Sequence, residues 1–223
     1  MNISELILEK KVSISPSDAL IIVDMQNDFI SGGALAVKGG NEVLEGINHV
    51  SAFFKRKGAR IILTQDWHPP NHKSFASAHP GKKPFEHYAA VGIGPVLWPN
   101  HCVQGEKGAE FSKELNTKVA DVIIRKGMNP EIDSYSTFLE NDKKSETGLS
   151  GYLKSLRISR FFICGLALDY CVYYSAMDGK SLGFNVCVIV DLTRGIDDPP
   201  GGIQTAIKNM MDKGIKFLKS TIL

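Results

Sequence analysis

Residues 161–171 read Phe-Phe-Ile-Cys-Gly-Leu-Ala-Leu-Asp-Tyr-Cys and decide the fold class of this chain. The first five form an apolar run that predicts a buried strand, and Asp169-Tyr170-Cys171 opens a helical pattern. Parallel sheets covered by helices bind ligands beyond the carboxyl ends of their strands. Cys171 is therefore predicted at that edge, where the N–H groups of a helix start favour a thiolate and can hold an oxyanion.

The same alternation continues along the chain. Apolar runs rich in β-branched residues predict strands over residues 18–23, 60–65, 121–125, 160–165, 185–190 and 215–218. Helical spacing of apolar residues predicts helices over residues 41–57, 148–156, 170–182 and 203–213. This order indicates an α/β fold, a three-layer αβα sandwich with a central, mostly parallel six-stranded sheet that is doubly wound.

Composition excludes several classes of protein. The 223 residues, 43% of them hydrophobic, are enough for one substantial core. A net charge of +2 gives no attraction to nucleic acid or to an anionic membrane. No apolar run approaches the roughly 20 residues of a membrane span, and the first residues lack the order of a signal peptide. Four cysteines without CxxC spacing fit a reduced protein, so we expect a cytoplasmic protein with a small-molecule partner.

Three reactive side chains follow or end predicted strands. They are Asp24, Lys126 and Cys171. A carboxylate near a thiol can take its proton and return it to a leaving amine, and a lysine can keep that carboxylate ionised and lower the thiol pKa. Taken singly, Asp24 could form a turn, Lys126 could be solvated, and Cys171 could pack as a small apolar side chain. Their coincidence at one edge of the sheet indicates a catalytic site.

A second cluster begins after the second strand, in a long segment over residues 67–108 that is rich in Pro, His, Gly and aromatic residues. Asp66 and His68 lie two residues apart, and His101 follows within the segment. One carboxylate and two imidazoles leave open positions for water or substrate, as catalytic metal sites require. The set accepts Zn, Fe or Mn. His72 and His79 are alternative ligands, and Ser74 could contribute through a bound water.

Five motifs together give a resemblance that covers residues 19 to about 214. The chain resembles the nicotinamidases and pyrazinamidases of the isochorismatase-like cysteine hydrolase superfamily. The motifs are Asp-Met-Gln-Asn-Asp-Phe at 24–29, Gln-Asp-Trp-His-Pro at 65–69, Trp-Pro-Asn-His-Cys-Val-Gln at 98–104, Lys-Gly at 126–127 with Asp-Ser-Tyr-Ser at 133–136, and Gly-Leu-Ala-Leu-Asp-Tyr-Cys-Val at 165–172.

The resemblance implies a role for each matching position. It implies a catalytic triad of Asp24, Lys126 and Cys171 and metal ligands Asp66, His68 and His101, with Ser74 where the family can use a water-mediated ligand or a further His. It implies an oxyanion hole from the N–H groups of Ala167 and Cys171, with a cis peptide between Leu166 and Ala167. It implies that Phe29, Trp98 and Tyr135 enclose the pyridine ring.

The implied activity is hydrolysis of nicotinamide to nicotinate and ammonia through a cysteine thioester in NAD salvage, with pyrazinamide as a further substrate. One divalent ion is implied, Zn before Fe or Mn, and it binds the pyridine nitrogen. The implied organisation is one domain over residues 1–223, with an N-terminal extension (1–17) and a metal- and substrate-binding insertion (67–108). A homo-oligomer is compatible with the sequence.

Two other functions stay open at this point. One is hydrolysis of another small amide, or of an isochorismate-like vinyl ether, by the same superfamily; the presence of Cys171 disfavours the ether. The other is a non-catalytic binding protein on the same fold, which intact triad and ligand positions disfavour. One residue departs from the family pattern, because Leu168 stands where the family usually has Thr before the Asp of Gly-x-Ala-x-Asp-x-Cys.

Overall fold

Six strands pair into one parallel sheet in the order β3-β2-β1-β4-β5-β6. A computed structural model describes residues 6–223, so the first five residues of the predicted N-terminal extension lie outside the described part. The strands are β1 (Asp18–Val23), β2 (Arg60–Asp66), β3 (Val122–Lys126), β4 (Arg160–Leu166), β5 (Asn185–Arg194) and β6 (Lys216–Leu218). The order reverses between β1 and β4, which places the ligand-binding crevice beyond the carboxyl ends of these central strands.

Helices cover both faces of the sheet. They are α1 (Leu44–Arg56), α2 (Leu149–Ser155), α3 (Tyr173–Ser181) and α4 (Gly202–Asp212). Alternate residues of β1 face opposite layers, because strand side chains alternate. Leu20 and Ile22 share an apolar cluster with α1, whereas Ile21 and Val23 share one with α2, α3 and α4. The predicted three-layer, doubly wound α/β fold is confirmed.

Two local predictions were incomplete. β5 was expected to end before Asp191, but it continues to Arg194, and its pairing with β4 shifts between Ile163 and Gly165. The helix carrying Cys171 begins as a π-helical turn over Leu168–Val172 before α3 starts. Apolar periodicity does not detect a bulge or a wider turn, because both change backbone hydrogen bonding without changing which residues are apolar.

The insertion over residues 67–108 is ordered by short turns and isolated bridges. Two three-residue 3₁₀ turns lie at Ala76–Ala78 and Lys107–Ala109. Single parallel bridges join His68 to Val103 and Phe75 to Trp98. These bridges bring both ends of the insertion to the carboxyl edge of the sheet. Within residues 6–223, no helix combines the length and apolar character needed to cross a membrane.

Candidate active site

Asp24, Lys126 and Cys171 meet at the carboxyl edge of the sheet. Asp24 directly follows β1, Lys126 ends β3, and Cys171 lies in the turn after β4. Lys126 Nζ lies 2.9 Å from Asp24 Oδ2 and 3.4 Å from Cys171 Sγ. All three residues are buried. The structure therefore brings together the three side chains that the sequence placed at separate strand ends, in the arrangement that a cysteine hydrolase requires.

The two carboxylate oxygens of Asp24 have different partners. Its backbone adopts a positive φ of 47° just past β1, and Thr64 Oγ1 donates a 2.6 Å hydrogen bond to Oδ1. Oδ2 is paired with the ammonium of Lys126, whose Nζ lies 2.9 Å away. Burial raises the pKa of the Asp24 carboxyl, and Lys126 opposes that effect. Oδ2 is thus positioned and available to accept a proton.

Lys126 joins the triad to the candidate metal ligands. Its Nζ contacts the Asp66 carboxylate and donates a 3.0 Å hydrogen bond to the Ser134 carbonyl. Burial disfavours the charged ammonium, but Asp24 and Asp66 outweigh it and raise the pKa of Lys126 well above its usual value. The lysine therefore stays charged. Burial also opposes ionisation of Asp66, yet Lys126 and the neighbouring imidazoles lower the pKa of that carboxyl.

The pKa of the Cys171 thiol is shifted in the direction opposite to the prediction. The sequence suggested that a helix start and Lys126 would lower its pKa. Complete burial instead raises the pKa of the thiol well above its usual value, and the attraction of Lys126 only partly offsets it. The physical reason is desolvation of the thiolate, which two carboxylates nearby reinforce. Burial therefore favours the thiol over the thiolate at this position.

Asp66, His68 and His101 form a compact group of potential metal ligands. The Nε2 atoms of His68 and His101 lie 3.7 and 4.0 Å from Asp66 Oδ2. Their Nδ1 atoms lie 2.9 Å from the Gly127 carbonyl and 2.8 Å from the Pro99 carbonyl. A carbonyl only accepts, so Nδ1 carries the hydrogen and Nε2 presents its lone pair to the group.

This donor set fits a divalent transition-metal ion. Two neutral imidazoles and one ionised carboxylate leave further coordination positions open. Burial lowers the pKa of His101 to about 4, which keeps its imidazole neutral. Burial also opposes protonation of His68, but Asp66 outweighs it and raises the pKa of that imidazole. A divalent cation bound between these residues would require the neutral imidazole of His68, since a ligand nitrogen must present its lone pair.

The alternative ligands have other partners. His72 Nδ1 lies 2.7 Å from Ser74 Oγ, and its Nε2 lies 3.2 Å from a backbone carbonyl. Burial lowers the pKa of His72 to about 3. His79 Nε2 lies 2.7 Å from another backbone carbonyl. His72 is grouped with His68 and Asp133 as a second possible ligand set, whereas no such set among residues 6–223 includes His79. A water-mediated role for Ser74 stays a prediction.

The turn before Cys171 contains the cis peptide that the resemblance implied. The peptide between Leu166 and Ala167 is cis. The Ala167 carbonyl accepts hydrogen bonds from the N–H groups of Tyr170 and Val172, at 3.1 and 3.0 Å. Ala167 and Cys171 line the same pocket. The assignment of their N–H groups as oxyanion donors stays a prediction, which this local arrangement supports.

Aromatic side chains wall the pocket around the thiol. The predicted residues Phe29, Trp98 and Tyr135 all line it, together with Cys171 and the metal-ligand group. Trp98 Nε1 donates a 3.1 Å hydrogen bond to Tyr135 Oη, which donates in turn to the Gly94 carbonyl at 3.0 Å. These bonds fix the faces of a narrow pocket suited to a flat ring.

The comparison with protein families agrees with this geometry. Residues 18–221 match the isochorismatase domain. The chain belongs to the isochorismatase domain family. The match begins at β1 and includes every strand that contributes to the candidate active site. The resemblance seen in the sequence motifs is therefore confirmed.

Relatives within the isochorismatase family include well-covered nicotinamidases. A nicotinamidase from Acinetobacter baylyi is 44% identical, over 96% of this chain and 97% of its own length. A solved Acinetobacter baumanii nicotinamidase pyrazinamidase has a TM-score of 0.89 at 43% identity, covering 94% of this chain and 99% of that one.

Two further solved structures carry ligands. The PnC1 protein of L. infantum, in complex with nicotinate, has a TM-score of 0.82 at 41% identity, with 96% and 98% coverage of the two chains. The pyrazinamidase of Pyrococcus horikoshii, in complex with zinc, has a TM-score of 0.75 at 38% identity, with 92% and 99% coverage.

Leu168, the departure from the family motif, belongs to the apolar core. It is buried in the cluster that contains Val23, Ile163 and Ile207. An apolar side chain in this cluster avoids the cost of burying a hydroxyl without a partner. The substitution leaves the backbone of the turn in place, and the two bonds to the Ala167 carbonyl are present.

Sequence reasoning did not identify several residues of the site. Tyr170 was detectable, because it directly precedes Cys171, and Ser134 lies in a motif that the resemblance already included. Leu35 and Ile196 line the same pocket but lie in loops with no periodic pattern. Thr64, which bonds to Asp24, is an ordinary strand residue in sequence. Sequence reasoning missed six residues of the site: Leu35, Thr64, Asp133, Ser134, Tyr170 and Ile196.

Proposed function

We propose that this isochorismatase-family chain is a nicotinamidase, a metal-dependent amidohydrolase that converts nicotinamide to nicotinate and ammonia in NAD salvage and also accepts pyrazinamide. One observation carries the proposal. Lys126 Nζ lies 2.9 Å from Asp24 Oδ2 and 3.4 Å from Cys171 Sγ, and Cys171 lines a pocket together with Asp66, His68 and His101. The relatives that are named nicotinamidases support the same substrate.

The triad performs acyl transfer in two stages. Asp24 Oδ2 takes the proton of Cys171 Sγ, and the thiolate attacks the carboxamide carbon while the N–H groups of Ala167 and Cys171 hold the oxyanion. Asp24 returns the proton to the amine as the C–N bond breaks, which releases ammonia and leaves a thioester. A water molecule then attacks the thioester, Asp24 accepts its proton, and Cys171 leaves with a proton as nicotinate is released. Lys126 stabilises the ionised Asp24 throughout.

The metal group would orient the substrate. Asp66, His68 and His101 would hold one divalent ion, and the zinc in the Pyrococcus relative supports Zn before Fe or Mn. When bound, the ion supplies a Lewis acid with positions open to a ring nitrogen. Phe29, Trp98 and Tyr135 enclose the ring, so that the carboxamide faces Cys171. This arrangement distinguishes a pyridine amide from a benzene amide.

Removal of the metal is expected to reduce the rate of nicotinamide hydrolysis by a much larger factor than it reduces the amount of folded protein. Dialysis against a chelator should lower ammonia release at least about tenfold, and added Zn, Fe or Mn should restore it. Benzamide, which has the same shape without a ring nitrogen, should be a poor substrate with or without metal. Turnover of another amide alone would favour the alternative hydrolase, and ligand binding without turnover would favour a non-catalytic protein.

The hydroxyl of Thr64 is expected to set the pH dependence of the reaction. Its hydrogen bond stabilises the ionised Asp24, so Thr64→Val should raise the pKa of that carboxyl further. A base with a higher pKa becomes protonated at a higher pH, so the reaction loses its base earlier as the pH is lowered. The acid limb of kcat/KM should therefore move upward by about half to one pH unit.

The control is Thr147→Val, which removes a hydroxyl bonded at 2.6 Å to the Thr137 carbonyl instead. Its acid limb should stay in place. If Thr64→Val left the limb unchanged while lowering activity, Asp24 would not be the group that titrates.

The organisation and compartment of the chain complete the proposal. Residues 1–223 act as one domain, with the insertion over residues 67–108 providing one wall of the pocket. A reducing cytoplasm suits the reaction, since a free Cys171 thiol is needed for attack. The other three cysteines, Cys102, Cys164 and Cys187, are also free and buried in the structure.

A further inference from the structure

The loop that joins β5 to α4 contributes one side chain to the wall of the candidate active-site pocket. We call residues 195–201, Gly-Ile-Asp-Asp-Pro-Pro-Gly, the strap. Ile196 of the strap lines the pocket beside Tyr170 and Cys171, although it lies 25 residues further along the chain than Cys171. A loop residue in a pocket wall needs something to hold it there, because loops have few regular backbone hydrogen bonds of their own.

Asp169 supplies that anchor through both carboxylate oxygens. Oδ1 accepts the N–H of Ile196 at 2.9 Å, and Oδ2 accepts the N–H of Asp197 at 2.7 Å. The carboxylate is buried. A Cβ added at Gly195 would lie 2.5 Å from Ile203 Cγ1 and 3.0 Å from Asp169 Oδ1, so the start of the strap passes close to both side chains. Charge-assisted bonds from two consecutive amides hold the strap more firmly than neutral ones would.

The neighbouring residue adds a second contact. Tyr170 Oη donates a 2.6 Å hydrogen bond to the Asp198 carbonyl. The Tyr170 ring packs edge-on against Trp98 and Tyr135, at centroid distances of 4.9 and 5.4 Å. Asp169 and Tyr170 lie in the same π-helical turn as Cys171. The strap, the aromatic wall and the nucleophile therefore share one turn as their support.

The far end of the strap is fixed elsewhere. Asp197 Oδ1 accepts the N–H groups of Gly201 and Ile203, both at 3.1 Å, which ties the strap to the start of α4. Neither bond reaches the pocket. β5 ends at Arg194, which pairs with Leu166, and beyond that point Asp169 and Tyr170 hold the strap next to the turn that carries Cys171.

We propose that Asp169 is a positioning residue that holds Ile196 against the bound aromatic ring and so sets the affinity for nicotinamide. The inference rests on the proposed function for its substrate. Asp169 acts through the strap and does not contact the ring. An asparagine at this position could accept only one of the two amides and would direct its own NH₂ group at the other. Loosening the strap removes an apolar contact that substrate and transition state share, which changes KM more than kcat.

The test combines two single variants and their double variant. Asp169→Asn should raise KM for nicotinamide about tenfold and leave kcat within about twofold. Ile196→Ala keeps the backbone amides and should raise KM by about five- to tenfold through the lost apolar contact. If Asp169 acts through Ile196, the double variant should resemble the weaker-binding single variant rather than show a KM increase of about 100-fold.

The matched control is Asp191→Asn. Both carboxylate oxygens of Asp191 also accept hydrogen bonds, from the N–H and the hydroxyl of Ser220 at 2.8 and 2.6 Å. These two bonds tether the C-terminal residues to β5 and do not involve the strap. Asp191→Asn should leave KM for nicotinamide unchanged, even if it lowers the melting temperature. A merely structural role for Asp169 would likewise lower the melting temperature without raising KM.

Hydrogen exchange gives a measurement that does not depend on activity. The amides of Ile196 and Asp197 should exchange at least about tenfold faster in Asp169→Asn, while those of β5 keep their protection. Unchanged exchange, an unchanged KM in Ile196→Ala, or fully multiplicative KM effects would each overturn the proposal. If the wild-type protein hydrolyses nicotinamide normally in these assays, such results reject the role of Asp169 alone. An inactive wild-type protein would reject the proposed function, and the exchange experiment would still test the anchor.

Discussion

Cys171→Ala is expected to lower ammonia release from nicotinamide by at least about 10⁴-fold, because no other group can form the acyl intermediate. Sγ is the atom that Lys126 approaches at 3.4 Å, and it faces the same pocket as the ring-binding residues. Loss of one sulfur atom from a buried site should change the free energy of unfolding only modestly. The protein should still bind nicotinamide and retain its metal.

The matched control for this variant is Cys187→Ala. Cys187 is also buried and free, but it lies within β5 and outside the pocket. Its turnover should stay near the wild-type value. Steady-state ammonia release and mass spectrometry of the trapped thioester would check both variants. Appreciable turnover by Cys171→Ala, or an acyl adduct on another residue, would contradict the nucleophile assignment.

His101→Ala is expected to lose most of the bound metal and, with it, the affinity for nicotinamide. Removing an outer partner of a metal ligand typically costs about 10–100-fold in metal affinity, and removing the ligand itself should cost at least that much. His101 is a better choice than Asp66, because Asp66 also pairs with Lys126 of the proposed triad. Elemental analysis after dialysis, with chelator competition, measures the loss directly.

His79→Ala is the control for the metal site. It removes an imidazole from the same insertion, but His79 bonds to a backbone carbonyl, and no group of possible metal ligands among residues 6–223 includes it. Its metal content should match that of the wild-type protein. Full metal occupancy in His101→Ala would exclude the assignment of Asp66, His68 and His101 as the ligand set.

These two predictions test different parts of one pocket. Cys171→Ala should retain metal and lose chemistry, whereas His101→Ala should lose metal and substrate orientation together. The physical connection between the parts is Lys126, whose ammonium contacts both Asp24 and Asp66. The sequence predicted Lys126 beside Asp24, but it gave no sign of the contact with Asp66. Residues 24, 66 and 126 end or follow three different strands, and only their side-by-side pairing shows that one lysine serves both carboxylates.

The sequence by itself determined the fold class and the chemical types at the site. Apolar runs of strand length, alternating with amphipathic helices, leave few arrangements that bury both faces of a sheet, and the parallel order follows. Reactive residues at strand ends then converge, because parallel strands finish at one edge. That is why Asp24, Lys126 and Cys171 could be predicted as a group although they lie 45 to 147 residues apart.

Only the tertiary structure decided the pKa of Cys171, the hydrogen bond from Thr64 to Asp24 and the place of Ile196 in the pocket wall. Each depends on distances between segments remote in sequence or on the removal of water, and none has a local pattern. The N–H groups near a helix start favour a thiolate, but burial of the thiol is the larger effect here and raises its pKa. Ile196 lies in the pocket wall, where its N–H donates a hydrogen bond to a carboxylate 27 residues earlier in the chain. Apolar periodicity does not reveal such a contact.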